Sequence, residues 1–475
     1  MKLPVKGVDK REILDRLDTF KSEDVDWKSG KVFGYIFDPG QEAMEIGKEA
    51  YMKYLTENAL DFTSFPSLFK FEKEIVEMAI QHLQGGDQAT GNFTNGGTES
   101  IILAVKSARD QARKQKPEIK EPEMILPITA HAAFHKAARY LSVKTKLIGV
   151  DANFRADIAE LKKAISADTI LIVGSAPSYA HGVIDPIKEM AAEALKNNIL
   201  FHTDACVGGF MLPFFKKLGE PVPEFDFSVP GVTSISMDLH KYAYTPKGAS
   251  LVLYKDRELR KHQIFACSDW TGYTIINNAV LSSRSGGPMA AAYAVLNFLG
   301  EHGYLNIAKN KIEATKRLLE GVEKHPDLKI MAKPDFCMFS FTSHTVNIFH
   351  LIDEMNSRGW YIQPALSYGP SRHNIHLSIN HSNVEWVEAF LEELYDCVEA
   401  IRSKPSGELA PALEKEFENR DIDAMPDEEI KQLLELGAIG GDALPDVFAE
   451  VNEILDVLPP KLRERLLIEY TNGIF

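Results

Sequence analysis

ILFHTDACVGGF (199–210) and TSISMDLHKYAYTPKGASLVLY (233–254) each place a reactive side chain directly after a short apolar run. Such runs alternate with helical patterns from about residue 61 to residue 290. Alternation of this kind is typical of an α/β domain with a mostly parallel sheet. The clearest strands are predicted at 124–129, 146–151, 169–176, 199–204, 231–237 and 248–254, and the clearest helices at 99–114 and 187–198.

Three further segments surround this large domain, which we predict at 61–290. Residues 1–60 form a polar N-terminal segment with helical patterns. Residues 291–402 begin with a long helix that leads into shorter strands and helices, as in a small α+β domain. The stretch SKPSGE then opens a C-terminal extension, 403–475, whose apolar residues recur at a helical period.

The composition excludes several classes of protein. The chain has 53 basic and 68 acidic residues and a net charge of −15, which argues against a nucleic-acid partner because phosphate binding needs a basic surface. Its four cysteines lie far apart and form no CxxC pair, so we expect no disulfides, no metal site and a reducing compartment. There is no signal-peptide pattern and no apolar run of about 18 residues. We therefore expect a cytoplasmic protein without a membrane span.

The two opening stretches carry an acid and a lysine at the ends of successive strands. Asp204 emerges at the carboxyl edge of the sheet, where open α/β sheets bind ligands, and Lys241 follows the next strand after a short polar turn. Taken singly, the acid is as easily a helix cap or a metal ligand, and the lysine a surface residue. Together they match pyridoxal-5′-phosphate (PLP) chemistry, which needs an amine to bind the cofactor and a carboxylate to keep its pyridine nitrogen protonated.

A third stretch, NFTNGGTESIILAVKSARD (92–110), has the pattern of a phosphate site. Gly96, Gly97 and Thr98 immediately precede an amphipathic helix. Backbone N–H groups at a helix N-terminus bind phosphate, and glycine allows a close approach. The alternative is a plain turn with Thr98 as the N-cap. The order of phosphate site, acid and lysine along the chain favours the PLP interpretation.

These stretches resemble the group II family of PLP decarboxylases of fold-type I, most closely its sphingosine-1-phosphate lyase branch. The resemblance covers about residues 29–300 and implies a PLP-dependent transferase-like fold with a seven-stranded, mostly parallel sheet. Its most specific segments are TNGGTESI (94–101), TAHAAFHKAARY (129–140), HGVIDPI (181–187), HTDACVGGF (202–210), TSISMDLHKYAYTPKGASLVLY (233–254) and SSRSGG (282–287).

The resemblance implies catalytic roles for three residues, and a nearby tyrosine is added on mechanistic grounds. Lys241 holds the cofactor covalently and carries protons, and Asp204 pairs with the pyridinium nitrogen. His131 stacks on the ring, although a histidine packed in the core is an alternative reading of it. Tyr242 is a second candidate for returning a proton.

The resemblance also implies a set of residues around the phosphate and the substrate. Lys247 matches a lysine on the substrate side, with a surface lysine as the alternative. Relatives place the active site at a homodimer interface, where a loop matching Ser285–Gly287 reaches the other subunit's phosphate site. The phosphate residues are Gly97, Thr98, Ser236 and His240, completed by Gly287.

We therefore predict a PLP-dependent carbon–carbon lyase that acts on an amine or an amino acid. An amino-acid decarboxylase of the same family is the first alternative. An aminotransferase is less favoured, because only Arg372 remains as a candidate carboxylate clamp. A PLP-binding scaffold that has lost catalysis and acts through partners is a third possibility, which measured turnover would exclude.

Two substitutions led us to predict an unusual substrate. The resemblance places Phe33 and Asp61 on the substrate side, where sphingosine-1-phosphate lyases carry Tyr and His. A carboxylate in place of an imidazole would repel a phosphate, at a cost on the order of 4 kcal/mol for like charges about 4 Å apart at an effective dielectric of about 20. On this argument, long-chain amine phosphates are poor substrates, and the true substrate lacks a phosphate or places it differently. The alternative is that Phe33 and Asp61 lie outside the pocket and the substitutions are neutral.

Overall fold

The computed structural model describes residues 2–404, 407, 409–436 and 448–474. Its central sheet has seven strands, as predicted. They are β1 (Thr90–Thr94), β2 (Glu123–Pro127), β3 (Lys144–Ile148), β4 (Thr169–Ser175), β5 (Leu200–Asp204), β6 (Ser234–Asp238) and β7 (Ser250–Tyr254). In space the strand order is β1-β7-β6-β5-β4-β2-β3.

Only β7 runs antiparallel to its neighbours in this sheet. The six other strands are therefore parallel to one another, and their carboxyl ends lie at one edge. Every residue of β4, β6 and β7 is buried, as expected of strands covered on both faces. The sequence pattern missed β1, because TGNFT is short and mostly polar.

Helices cover both faces of the central sheet. Two long ones precede and follow β1 and pack beside it, the next four connect the parallel strands, and the last follows β7. They are α3 (Pro66–His82), α4 (Gly97–Gln115), α5 (Ala133–Leu141), α6 (Ile158–Ala164), α7 (Ile187–Lys196), α8 (Leu212–Lys217) and α9 (Arg257–Arg260). A two-stranded hairpin, β8 (Phe265–Cys267) with β9 (Ile275–Asn277), follows them.

A second, smaller sheet follows a long helix, α10 (Gly287–Lys324), which is kinked at Gly300. The four strands pair antiparallel in the order β10-β11-β13-β12. This part of the chain comprises β10 (Leu328–Ile330), β11 (Met338–Ser343), α11 (Ile348–Ser357), β12 (Gln363–Ala365), β13 (Asn374–Ser378), a 3-10 turn (His381–Trp386) and α12 (Val387–Ile401). It matches the small α+β unit expected after residue 290.

The N-terminal residues contribute to both units. Helix α1 (Lys10–Lys21) has no buried residue, whereas α2 (Gln41–Lys53) packs along α10. Residues 30–33 join the small unit, because Phe33 donates its N–H to the Tyr361 carbonyl and accepts a hydrogen bond from the Ser378 N–H, both at 2.9 Å. The N-terminal segment is therefore not a separate layer.

The C-terminal extension is helical, as predicted. It contains α13 (Leu409–Phe417), α14 (Asp427–Leu436), α15 (Ala449–Val457) and α16 (Pro460–Ile474). An apolar cluster that includes Phe417, Ile430 and Leu462 forms its own small core. Half of the predicted SKPSGE linker, namely Pro405, Ser406 and Glu408, falls outside the described residues.

Candidate active site

A cavity of about 550 Å³ opens at the carboxyl edge of the central sheet, which is a size typical of small-molecule sites. Three separate stretches of the chain meet here, as the sequence predicted, because the ends of β1, β5 and β6 share this edge. The cavity is lined by Asn95, Gly96, Gly97, Thr98, Glu99, Ile101, Ile102, His131, Ser175, Pro177, Tyr179, Asp204, Cys206, Val207, Asp238, His240, Lys241, Val280 and Leu281.

Lys241 forms an ion pair with Asp238, the last residue of β6. Its Nζ lies 2.9 Å from Asp238 Oδ2, and the Asp238 side chain is only 2% exposed. Ser250 Oγ donates a hydrogen bond to the other carboxylate oxygen at 2.5 Å. Burial opposes the charged form of Lys241, but the Asp238 carboxylate outweighs it and raises the pKa of the amine above its ordinary value. The sequence reasoning missed Asp238, although it ends a strand just as Asp204 does.

Asp204 ends β5 and is fixed by two hydrogen bonds. Its Oδ1 accepts from the Cys206 N–H at 3.1 Å and from Ser236 Oγ at 3.3 Å. Ser236 is fully buried behind Asp204, where it also lies 3.1 Å from His202 Nε2. The expected contact of Ser236 with the phosphate does not fit this position. Ser236 precedes Asp238 by two residues on the same strand face, so it lies about 7 Å deeper in the sheet.

The N-terminus of α4 forms the opposite side of the cavity. Gly97 faces Asp238 and Cys206 so closely that a Cβ would lie 2.7 Å from Asp238 Oδ2 and 2.9 Å from Cys206 Sγ. Thr98 and Glu99 continue this rim, and Glu99 accepts hydrogen bonds from the N–H groups of Asn95 and Val280, both at 2.6 Å. Glu99 thereby joins the glycine turn to the segment that follows β9, a long-range contact that the sequence did not indicate.

His240 lies between this helix end and the lysine segment. Burial lowers its pKa to about 4, so the ring is neutral at physiological pH. Its Nδ1 accepts a hydrogen bond from the Ala249 N–H at 3.1 Å, which leaves the proton on Nε2. This nitrogen lies 3.8 Å from Asp238 Oδ2. His240 is therefore a fixed neutral donor beside the ion pair.

Two aromatic side chains line the rest of the cavity. His131 is exposed, and its Nδ1 accepts a hydrogen bond from the Ala133 N–H at 3.1 Å, which fixes the ring. Tyr179, which the sequence reasoning missed, stacks on His376 with ring centroids 4.3 Å apart and donates its hydroxyl to Gln363 Oε1 at 2.5 Å. Burial raises the pKa of Tyr179 to about 12, so it remains a hydroxyl. No local pattern marks Tyr179, because its partners come from β12 and β13.

Lys247 lies beside this cavity, on the side of the N-terminal segment. Its Nζ donates to the Tyr35 carbonyl at 2.9 Å and lies 4.8 Å from the ring centre of Phe37. Burial and the neighbouring charge of Lys241 lower the pKa of Lys247 to about 8, although part of the side chain reaches solvent. A chemically distinct amine therefore lies next to the candidate cofactor lysine.

Besides Ser236 and Lys247, four more residues expected at the site lie outside the cavity lining of their own chain. Phe33 is fully buried against Trp360 and Phe390, so it cannot contact a substrate there. Asp61 is on the surface, where its Oδ1 accepts hydrogen bonds from the N–H and hydroxyl of Thr63 at 2.7 and 2.6 Å. The other two are Tyr242, which is fully buried, and Gly287, which begins α10 and is packed against the Tyr51 ring.

Tyr242 points away from the cavity because it packs into the core below. Its ring makes an edge contact with Phe37 at 4.8 Å, and Lys311 Nζ lies 3.7 Å from its centroid. The Tyr242 hydroxyl and the Lys311 amine are buried together beside the thiol of Cys337. Burial raises the pKa of Tyr242 well above its ordinary value, so it is a poor proton donor for a substrate. We therefore no longer assign Tyr242 a proton-transfer role.

The residues in the cavity fit PLP. The glycine at position 97 leaves room at a helix N-terminus where any Cβ would strike Asp238, as a phosphate site requires. An amine and a carboxylate, Lys241 and Asp204, line the same cavity. We infer that Lys241 would hold the cofactor, Asp204 its ring nitrogen, and Gly97 and Thr98 its phosphate. Two carboxylates, those of Asp204 and Asp238, line the cavity beside these groups.

Comparison with known proteins agrees with this geometry. Residues 7–344 match the family described as the pyridoxal-dependent decarboxylase conserved domain. Residues 407–473 match a second family, described as the C-terminal putative HTH domain of a pyridoxal-dependent enzyme. Both matches fall on residues that the structure describes, except for 408 and 437–447.

Individual relatives cover most of the chain. A sphingosine-1-phosphate lyase of Arabidopsis thaliana is 43% identical over 420 residues, which are 86% of this chain and 76% of that protein. A probable L-aspartate decarboxylase of Pyrococcus furiosus is 32% identical over 78% of this chain and 96% of its own length. The solved structure of a sphingosine-1-phosphate lyase from Burkholderia pseudomallei K96243 superposes with a TM-score of 0.81 at 34% identity, covering 88% of this chain and 96% of that one.

Replacing Gly97 with alanine tests the glycine at the helix end. The added Cβ must displace Asp238 or Cys206, and we expect PLP affinity to fall by about tenfold or more. Equilibrium titration of the apoprotein with PLP, followed by absorbance, measures this change. Gly86→Ala is the matched control, because a Cβ there meets nothing within 4 Å and affinity should be unchanged. Unaltered PLP binding by the Gly97 variant would contradict the assignment.

Replacing Lys311 with methionine tests the buried amine below Tyr242. Burial lowers the pKa of Lys311 to about 8, so between about pH 8 and 10.5 the folded chain binds fewer protons there than the unfolded chain. Lys311 therefore destabilises the fold below pH 8 and less so as the pH rises. We expect Lys311→Met to raise the free energy of unfolding by about 1–3 kcal/mol at pH 7, with a smaller gain at pH 10.

Urea titrations of wild type and variant at both pH values measure that difference. Lys309→Met, which changes an exposed lysine on the same helix, should leave the free energy of unfolding within about 0.5 kcal/mol. A Lys311→Met gain that did not depend on pH would show that titration of this amine is not the cause.

Proposed function

The chain belongs to the pyridoxal-dependent decarboxylase family, and from this premise we propose that it cleaves a phosphorylated long-chain amine. It is a PLP-dependent lyase. The bond that we propose it breaks joins the amine-bearing carbon to a neighbouring hydroxyl-bearing carbon. The observation that carries this proposal is Lys247, a cationic side chain beside Lys241 and able to bind a substrate phosphate. Its relatives named sphingosine-1-phosphate lyase support the same substrate class.

Within one subunit, the positions of Phe33 and Asp61 do not support the argument against such a substrate. The predicted repulsion required Asp61 to face the substrate phosphate, but its carboxylate is occupied by Thr63 at the surface. The predicted loss of a hydroxyl at Phe33 concerns a position inside the core. Tyr35, two residues later, is exposed beside Lys247 and keeps a phenol in this segment. The prediction that long-chain amine phosphates are poor substrates therefore has no support within one subunit, and it stays a prediction that kinetics with sphingosine-1-phosphate test.

The chain's own residues divide the work of the reaction between them. Bound PLP supplies an electron-accepting ring that takes up the electron pair of the broken bond. Asp204 offers a carboxylate, held by Cys206 and Ser236, that keeps a ring nitrogen protonated. Asp238 stabilises the charged form of Lys241, so the amine can hold a proton close to the reacting carbon. Tyr179 remains a hydroxyl that donates to Gln363, and its oxygen can accept a hydrogen bond from the substrate's own hydroxyl.

Decarboxylation of an amino acid is the second candidate function. The probable L-aspartate decarboxylase of Pyrococcus furiosus, which this chain matches over 96% of that protein's length, favours it. None of the described residues that line the cavity is an arginine, and Arg372, the carboxylate clamp considered above for an aminotransferase, lies elsewhere. In the structure, Arg372 contacts His344 and His373 on the small unit, and it does not line the active-site cavity. We therefore favour cleavage at a hydroxyl-bearing carbon.

We further propose that the enzyme acts as a homodimer. Exposed apolar side chains continue from the cavity wall, at Val280 and Leu281, to the β8–β9 hairpin, which exposes Phe265 and Ile276. The SSRSGG loop (282–287) follows directly along the chain. A second copy of the chain would cover this surface and bring Gly287 of the partner subunit towards the cofactor phosphate, as the family resemblance implies.

We also propose a cytoplasmic location and no nucleic-acid partner. Cys206, Cys337 and Cys397 are buried as free thiols, which is typical of a reducing compartment. Within the described part of the chain, no helix has the length and apolar character of a membrane span. The excess of acidic residues repels phosphate backbones. Recovery in a secreted fraction, or duplex DNA binding at physiological salt, would contradict these two proposals respectively.

Product analysis tests the proposed reaction. We expect purified protein with PLP to release a long-chain aldehyde from sphingosine-1-phosphate and no carbon dioxide from L-aspartate. Lys241→Ala should abolish turnover, because no other amine in the cavity can replace its Nζ. Lys247→Met should lower kcat/KM at least tenfold for the phosphorylated substrate, whereas Lys255→Met, a lysine at the opposite edge of the sheet, should not. Carbon dioxide without aldehyde would establish the decarboxylase instead.

Light scattering tests the proposed dimer. We expect a mass close to twice 53.1 kDa for the wild type. Ile276→Arg, which puts a charge on the apolar hairpin, should yield monomers with little activity. Leu195→Arg changes an equally exposed leucine at the other edge of the sheet and should remain dimeric. A fully active monomer would refute the shared site.

A further inference from the structure

The C-terminal module, here residues 409–436 and 448–474, is attached to the small unit through both ends of α15. At the start of this helix, Asp353 of α11 accepts hydrogen bonds from the N–H groups of Phe448 and Ala449 at 3.2 and 2.7 Å. Near its end, Asp456 reaches the turn between β12 and β13. The module is therefore fixed in place and does not hang from a free linker.

Asp456 binds that turn by three hydrogen bonds. Its carboxylate accepts from the Ser367 N–H at 2.5 Å, from Ser367 Oγ at 3.0 Å and from His373 Nδ1 at 2.8 Å. The side chain is only 10% exposed, so these contacts are shielded from water. Because Ser367 and His373 stand at the two ends of the turn, one carboxylate closes it.

The hairpin formed by residues 363–378 connects this anchor to the active site. At its strands, Gln363 accepts the hydroxyl of Tyr179 at 2.5 Å, and His376 stacks on the Tyr179 ring at 4.3 Å. At its tip, Ser371 Oγ lies 3.3 Å from His181 Nε2. Tyr179 lines the cavity and depends on the hairpin for both of its contacts.

A second contact at the tip reaches the other aromatic wall of the cavity. A Cβ on Gly369 would lie 3.4 Å from Ile128 Cδ1, so the tip packs against the turn that carries His131 three residues later. On the same side, Glu464 of α16 pairs with Arg139 of α5 at 3.0 Å. Helix α5 begins two residues after His131. The module thus touches, directly or through the hairpin, the supports of Tyr179 and His131.

The charge of the module argues against a role in binding nucleic acid. Residues 407–473 include 17 acidic and six basic side chains. A helix-turn-helix that reads DNA needs a basic surface to offset phosphate charge. Two buried acids of the module are committed to the small unit instead: Glu453 contacts Asn347 and His350 of α11, and Asp456 binds the hairpin. The contacts of the module therefore point towards its own enzyme.

We propose that Asp456 is a positioning residue, which holds the 363–378 hairpin and through it sets the orientation of Tyr179 in the cavity. The C-terminal module thereby takes part in the lyase reaction without touching the substrate. This inference depends on the lyase activity of the cavity but not on which amine is cleaved.

Hydrogen exchange tests the first link, from Asp456 to the hairpin, without any substrate. In Asp456→Ala the Ser367 N–H and His373 lose their acceptor, and we expect the amides of 363–378 to exchange at least tenfold faster. Glu450→Gln, which changes an exposed acid on the same helix, should leave them unchanged. If Asp456→Ala does not fold, Asp456→Asn, which keeps one carbonyl acceptor, replaces it and should show a smaller increase. Unchanged exchange in the hairpin would overturn the proposal.

A double-mutant cycle tests the second link, from the hairpin to Tyr179. We expect Asp456→Ala to lower kcat/KM about tenfold in the wild-type background and less than twofold in Tyr179→Phe, because the effect passes through the Tyr179 hydroxyl. Equal losses in both backgrounds would mean a general loss of structure and would refute the positioning role.

The cycle remains interpretable if the proposed substrate is wrong. In that case, no variant turns over sphingosine-1-phosphate, and the circular dichroism of bound PLP replaces kcat/KM as the readout. We expect Asp456→Ala to change this signal in the wild-type background but not in the Tyr179→Phe background. A signal identical in wild type and Asp456→Ala would overturn the proposal independently of the substrate.

Discussion

The buried ion pair between Lys241 and Asp238 is the constraint around which the active site is organised. A carboxylate that is 2% exposed is costly to bury unless a charge and hydrogen bonds compensate it. Ser250 provides one hydrogen bond from β7, and Lys241 provides the charge from the turn after β6. The same carboxylate fills the space into which any side chain at position 97 would project. One pair therefore links the lysine, two strands and the N-terminus of α4.

The sheet topology explains why this pair can meet a phosphate site and a second acid. Since β7 alone runs antiparallel to its neighbours, the carboxyl ends of β1, β5 and β6 lie at one edge. At this edge α4 begins after β1, and Asp204 and Asp238 are the last residues of β5 and β6. The edge of the sheet forms only part of the cavity wall, however. Tyr179 is oriented by β12 and β13 of the small unit, and Lys247 by the N-terminal segment. The cavity is thus shared by parts of the chain that are distant in sequence.

The sequence predicted the centre of the site better than its surroundings. Lys241, Asp204, His131 and Gly97 all line the cavity, because each follows a strand or opens a helix at the carboxyl edge. The family resemblance placed Ser236 near the phosphate, and Tyr242 was placed near the reacting carbon because it follows Lys241. Ser236 lies two residues deeper in β6, and the turn after Lys241 directs the side chain of Tyr242 into the core. Closeness in sequence does not fix the direction of a side chain.

The sequence by itself determined the α/β class, the strand–helix order and the chemistry of PLP, since apolar periodicity and the residues at strand ends are local properties. Only the tertiary structure decided that Phe33 belongs to the core of the small unit, that Asp61 is occupied at the surface, and that the C-terminal module supports the site through Asp456. Each of these depends on contacts between residues far apart in the chain, such as Phe33 with Phe390 or Asp456 with His373. Such contacts arise from packing of whole elements, which no local spacing encodes.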